Sequence, residues 1–166
     1  LRRDKMIPVV VYGHGEATQH LALPAHELML ALKQSNALLS LQLDDGAQLE
    51  SYNTQQHWLA HSDGLFLVYT RRGANNDHIV RNRAPLFMAQ MDTEKLQIIR
   101  STEKIIVPER GAELGNFGAC AIKETEAWVT VSEGMFMKDS KARGAEGATF
   151  VARILWSKPN TLTGAR

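Results

Sequence analysis

The sequence predicts an all-β chain of antiparallel four-stranded sheets of propeller-blade type, with one short helix near its start. Residues Thr54 to Val107 hold four apolar-rich runs of strand length, and three more runs follow between Phe117 and Trp156. The turns between neighbouring runs are polar and mostly short, so that successive strands pair antiparallel. A four-stranded sheet of about 50 residues is the size of one propeller blade.

Taken in order, Ile7 to Tyr12 is a β-branched run of strand type. Pro24 stands where a helix takes its first residue, and good helix formers follow as far as Ser35 and Asn36, which predicts a helix over residues 25–35. Residues 1–37 form a lead-in. Ala37 to Leu43 alternates loosely before the turn Asp44-Asp45-Gly46. The first blade spans about residues 54–107. Its strands are Gln55 to His61, closed by Ser62-Asp63-Gly64, then Leu65 to Arg71, Ala84 to Met91, and about Leu96 to Val107 with a break near Ser101. Five apolar or aromatic residues in succession, Leu65 to Tyr69, suit a strand covered on both faces. Pro108 to Asn116 is a loop. A second, incomplete blade spans about 117–156, with strands at Phe117 to Ile122, Ala127 to Glu133 and Thr149 to Trp156, and the polar stretch Lys138 to Gly147 is a surface loop. Ser157 to Arg166, including the tail 161–166, carries no pattern and reads as mobile.

At 166 residues, 44% hydrophobic and 22% charged, the chain has the composition of a folded globular protein, which excludes a disordered one. The single Cys120 excludes an intrachain disulfide. The apolar run Ile7 to Tyr12 is too short to span a membrane, and Gly13 to Glu16 interrupts it where a signal peptide would continue. The chain opens LRRDK without Met and reads as truncated at its start. A net charge of +1 points to no partner, although Arg71, Arg72, Arg81 and Arg83 fall within thirteen residues against one acid, Asp77.

The segments TQQHWLAHSDGLFLVYTRRGANNDHIVRNRAPLFMAQMD, VPERGAELGNFG, AWVTVSEG and VARILWSKPN resemble the C-terminal part of the bacterial sialidase superfamily, the BNR-repeat or neuraminidase-like proteins. The resemblance covers about residues 38–160, and Leu1 to Ala37 resembles nothing recognised. It implies part of a six-bladed β-propeller, exported to the periplasm or beyond, that acts on acidic sugars. The implied partners are an acidic glycan or other carbohydrate, with no nucleic acid, no membrane span and no cofactor, and with self-association through open blade edges. The Asp-box signature is incomplete, since Ser62-Asp63-Gly64 and Asp44-Asp45-Gly46 are degenerate remnants. The catalytic set is incomplete too, because no tyrosine follows Asp92, so the expectation is a chain inactive by itself. Two alternatives stand beside it: a non-catalytic glycan-binding module, and a propeller-type polysaccharide lyase using His57 and Arg83.

Six residues are the candidate substrate-binding set. Arg81 and Arg83 flank Asn82, and on extended backbone residues i and i+2 share a face and can meet one anion. Gln56, His57 and Trp58 place amide, imidazole and indole side by side, as a sugar-binding surface requires. Asn116 sits in a glycine-flanked loop between the two units. Each has a plainer reading as a solvated charge, a core or blade-edge side chain, or a turn former. Glu133 ends a strand and reads as a solvated carboxylate, and Tyr69 as core. His61 and His78 lack metal-ligand spacing, so no metal site is expected.

Overall fold

The computed structural model describes residues 6–11, 19–24, 42–43, 49–52, 54–95 and 97–164. The helix expected at 25–35 lies outside them. The chain divides into two compact units, Leu1–Ser40 and Leu41–Arg166. In the first unit, β1 (Met6–Val11) pairs antiparallel with β2 (Gln19–Pro24), Met6 opposite Pro24 and Val11 opposite Gln19. The valine run of β1 suits a pleated strand.

The second unit holds two open sheets. The larger has the order β3-β7-β6-β5-β4, with β8 also on β6: β3 (Gln42–Leu43), β4 (His57–His61), β5 (Gly64–Tyr69), β6 (Leu86–Asp92), β7 (Gln97–Ile98) and β8 (Lys104–Val107). Ser62 and Asp63 form a two-residue turn that sets His57 opposite Val68 and His61 opposite Gly64. Between β7 and β8 a 3-10 turn, Arg100–Thr102, lets both strands pair with β6. There the Thr102 hydroxyl accepts the Gln90 amide at 2.9 Å and donates to the Ile99 carbonyl at 2.7 Å. The smaller sheet runs β10-β11-β12, with β9 on the end of β11: β9 (Glu113–Leu114), β10 (Gly118–Lys123), β11 (Glu126–Gly134) and β12 (Thr149–Leu155).

Burial follows the sequence pattern directly. In β5, Leu67, Val68 and Tyr69 are all fully buried, because each face of this strand has its own core. One core joins Leu59, Val68, Leu86 and Val107 of the large sheet to Leu114, Phe117, Val129 and Val131 of the small one. The other gathers Leu67, Tyr69, Phe87, Ala89, Met91 and Ile98 on the opposite face of the large sheet. Burial of this apolar surface is the main stabilising effect, at about 25 cal/mol per Å².

Two expectations need correction here. All-β content with antiparallel sheets is present, but the sheets do not close into a propeller. The large sheet has six strands, includes a parallel β3–β7 pair, and is open. The segment after Trp156 is held in place by Asn160, which is 1% exposed. Its Oδ1 accepts the Ser62 amide at 3.0 Å, its Nδ2 donates to the Ala60 carbonyl at 2.9 Å, and its amide donates to the Glu124 carbonyl at 2.7 Å. One residue thereby ties the β4–β5 turn to the β10–β11 turn, and the 3-10 turn Thr161–Gly164 follows.

Candidate functional site

The loop from Arg71 to Arg83, between β5 and β6, concentrates the charge singled out in the sequence. Two buried asparagines shape it. Asn76 Nδ2 donates to the carbonyls of Arg71 at 2.9 Å, Asn82 at 3.3 Å and Ala84 at 2.7 Å. Asn82 Nδ2 donates in return to the Asn76 carbonyl at 3.1 Å and to Asp77 Oδ1 at 3.2 Å. Both ends of the loop are therefore drawn onto one buried amide, and a buried amide with its partners satisfied rigidifies the chain around it. Asn75, Arg81 and Asn82 adopt positive φ of 54°, 56° and 50°, the left-handed conformation that asparagine tolerates best.

The arginines of this loop take different roles. Arg71 lies against Glu103, Nε to Oε2 at 2.9 Å and Nη2 to Oε1 at 2.7 Å, with its guanidinium 4.5 Å from the Phe87 ring centre. Arg100 Nη1 reaches Oε2 of the same carboxylate at 3.1 Å, and the Tyr69 hydroxyl donates to it at 2.6 Å. Burial by itself would raise the Glu103 carboxyl, but the hydrogen bonds from Arg71 and Tyr69 and the two positive charges hold it below the usual carboxylate range. Burial, with the Glu103 carboxylate beside it, pushes the Tyr69 phenol far above its ordinary value, so this tyrosine stays protonated and structural.

Arg72 is exposed, and its guanidinium stacks 4.3 Å from the ring centre of Tyr52, itself 45% exposed. Arg81 is exposed and makes no hydrogen bond or ion pair among the described residues. Arg83 is half-buried, and its Nη2 donates to the neutral Asn116 Oδ1 at 2.9 Å. The left-handed backbone at Arg81 removes the basis for placing Arg81 and Arg83 on one face, since Val80–Asn82 is a tight turn and not extended chain.

The other predicted set divides. His57 turns toward the inter-sheet core, its ring edge-on to Phe117 at 5.1 Å, with Nε2 buried and unpaired among the described residues. Trp58, the next residue along β4, faces the other way and is 45% exposed, as strand alternation requires. Gln56 is exposed, while its neighbour Gln55 accepts the Phe117 amide at 3.1 Å. Imidazole and indole thus share no surface. Trp58 instead lines an open groove of about 950 Å³ with Ala60, Ala119, Ile122, Trp156 and Leu162. Arg83 and Asn116 do come together, joined also by the Leu114 amide donating to the Arg83 carbonyl at 3.0 Å.

Glu133 is buried, not solvated as the sequence suggests. Its Oε2 accepts the amides of Glu146 at 3.0 Å and Ala148 at 2.9 Å, and Arg110 Nε stands 3.6 Å from Oε1. Burial opposes ionisation there, but the backbone amides and Arg110 together lower the carboxyl below its ordinary value. Glu133 pins the ends of the loop after β11 through Oε2. Among the described residues no group of three or more metal-ligating side chains assembles.

Residues 1–61 match the family model described as the Ribosomal L25p family. Relatives named large ribosomal subunit protein bL25 align with more of the chain. That of Streptomyces avermitilis is 53% identical over 91 residues, 52% of this chain and 46% of the relative. That of Mycobacterium leprae is 30% identical over 132 residues, 69% and 59% of the two chains. That of Leifsonia xyli subsp. xyli is 31% identical over 126 residues, 69% and 63%. The chain spans about half the length of the curated relatives it matches. No solved structure matches. These findings overturn the sialidase resemblance, because the matched family and the relatives named are ribosomal and none is a sialidase. With it fall the glycan-processing, glycan-binding and lyase readings, the carbohydrate partner, the exclusion of nucleic acid and the exported location. The matched segment also takes in Leu1 to Ala37, where the sequence suggested no family.

Proposed function

We propose that this chain is a ribosomal protein of the L25 kind, a structural component of the large ribosomal subunit that works in contact with ribosomal RNA. The observation that carries the reading is the match of residues 1–61 to the Ribosomal L25p family, with bL25 relatives aligning over up to 69% of the chain. The match over residues 1–61 already crosses from the first unit into the second, and an alignment of that extent takes in more of the second unit. The location that follows is the ribosome, and the role is assembly and support. The described side chains agree with such a role. The carboxylates of the half-buried Glu103 and the buried Glu126 and Glu133 are each occupied by arginine, tyrosine, tryptophan or backbone donors in structural contacts.

The test is capture from cells. An affinity-tagged full chain is purified under mild salt, and the RNA that accompanies it is sized and sequenced. Enrichment of large-subunit over small-subunit ribosomal RNA is expected. Recovery of the chain without RNA, or with both ribosomal RNAs in equal measure, would overturn the reading.

A further inference from the structure

We propose that the loop from Arg71 to Arg83, together with Tyr52, is an RNA-contact site in which Arg72, Arg81 and Arg83 take backbone phosphates and the Arg72–Tyr52 stack receives an unpaired base. The inference rests on the reading of the chain as a large-subunit protein and locates one of its RNA contacts.

Charge distribution is the first support. Residues 1–61 carry four basic side chains, Arg2, Arg3, Lys5 and Lys33, against six acids, Asp4, Glu16, Glu27, Asp44, Asp45 and Glu50. Of the nineteen basic and eighteen acidic residues in the chain, fifteen and twelve therefore lie beyond residue 61. Beyond residue 61 the balance is net basic, which favours contact with a phosphate backbone there. The loop supplies four arginines, and its one acid, Asp77, accepts a hydrogen bond from the buried Asn82.

Geometry is the second support. The Asn76 amide draws the backbone at Arg71, Asn82 and Ala84 together, so arginines up to twelve residues apart in sequence are carried on one braced loop. Arg71 is consumed by Glu103, which leaves Arg72, Arg81 and Arg83 without an acidic partner among the described residues. A guanidinium offers a planar fork that fits phosphate oxygens and never loses its charge. The braced loop also gives up little conformational freedom on binding. A half-exposed tyrosine under a guanidinium plane is a platform on which an unpaired base stacks, a common feature of RNA recognition. An acidic peptide would use the charges but not the platform.

The experiment measures binding of the full chain to a fluorescein-labelled oligouridine of about 12 nucleotides by anisotropy across a salt series. Replacing Arg72, Arg81 and Arg83 together by Gln is expected to weaken binding tenfold or more, and to flatten the plot of log Kd against log salt by about 2, at about 0.7 for each phosphate no longer neutralised. The triple Lys variant should restore the slope but not the full affinity. Tyr52→Ala should weaken oligouridine binding and spare an abasic strand of equal length. Replacing Lys138, Lys141 and Lys158 by Gln removes equal charge and should leave affinity within about twofold. Equal losses in the two Gln triples, unchanged affinity in a folded arginine variant, or equal binding of polyglutamate would each overturn the site. Association with purified large subunits, followed on the same proteins, separates the two claims. Wild type and arginine variant that associate alike and bind oligouridine alike sink the site and leave the ribosomal reading standing. A wild type that never associates, yet binds oligouridine through these arginines, sinks the ribosomal reading alone.

Discussion

Glu103 is the residue on which the charged end of the large sheet depends. It is held by Arg71, Arg100 and Tyr69 at once. Its removal takes the carboxylate from the largely buried Arg71 guanidinium and from the fully buried Tyr69 phenol, and Glu103→Ala should cost about 3 kcal/mol, the low end for a buried ion pair deprived of one member. Urea unfolding checks this. The pH dependence has a definite sign. A carboxyl whose folded value is depressed adds stability above its unfolded value and loses that contribution as pH falls through the folded value. Glu126 shows the widest window. A hydrogen bond from Arg153 and one from the Trp128 indole, with Lys123 adding to them, hold its carboxyl down from 4.5 to about 2. Melting temperatures of the wild type should therefore fall between pH 4.5 and 2, and Glu126→Gln should flatten that fall. An identical acid slope in the variant would contradict the assignment. His57 points the opposite way. Its buried Nε2 has no partner among the described residues, so His57→Phe, which keeps the edge-on packing on Phe117, should be neutral or stabilising by about 1 kcal/mol.

Among the elements, the strands of the large sheet are the part most legible in the sequence. The apolar runs around Leu59, Leu65 to Tyr69 and Leu86 to Met91 coincide with β4, β5 and β6, because burial on one or both faces leaves a local imprint. The elements not legible are those fixed by distant partners. Two-residue strands such as β3 and β9 exist only through their pairing with β7 and β11. Glu133 reads as a solvated strand end until the loop that folds back on it is seen. Asn160 reads as part of a patternless tail, yet it bonds Ser62 and Ala60, nearly one hundred residues away. Asn160→Ala should cost about 3 kcal/mol, since two buried side-chain hydrogen bonds to the chain near Ala60 disappear and their partners are left unpaired. Limited proteolysis should then cut after Trp156 far faster than in the wild type. Gly111 gives a second test at this scale. Its φ is +97°, and an added Cβ would collide with the Cβ of Arg143, so Gly111→Ala should lower the melting temperature and loosen the loop that Arg143 closes onto.

For the molecule as a whole, β-strand periodicity carried the architecture but not the identity. Alternating apolar runs and Ser-Asp-Gly turns recur in β-proteins of many functions, so a likeness built on them conveys strand content better than chemistry. The candidate site was legible in half. The arginine cluster stands out as four charges in thirteen residues, but the sequence could not show that Glu103 consumes Arg71, nor that Tyr52 lies under Arg72. Nor did it signal that His57 and Trp58 face apart, although strict alternation along β4 implies it. The division of charge, acidic within residues 1–61 and basic beyond them, becomes informative only once the ribosomal match is set beside it.

Whether the chain is a large-subunit protein is decided by sedimentation of the full chain with purified large ribosomal subunits on a sucrose gradient, titrated to saturation. Co-sedimentation with the large subunit is expected to saturate near one copy per subunit, with no more than background on the small subunit. A chain that stays at the top of the gradient, or that loads both subunits without limit, would contradict the ribosomal assignment.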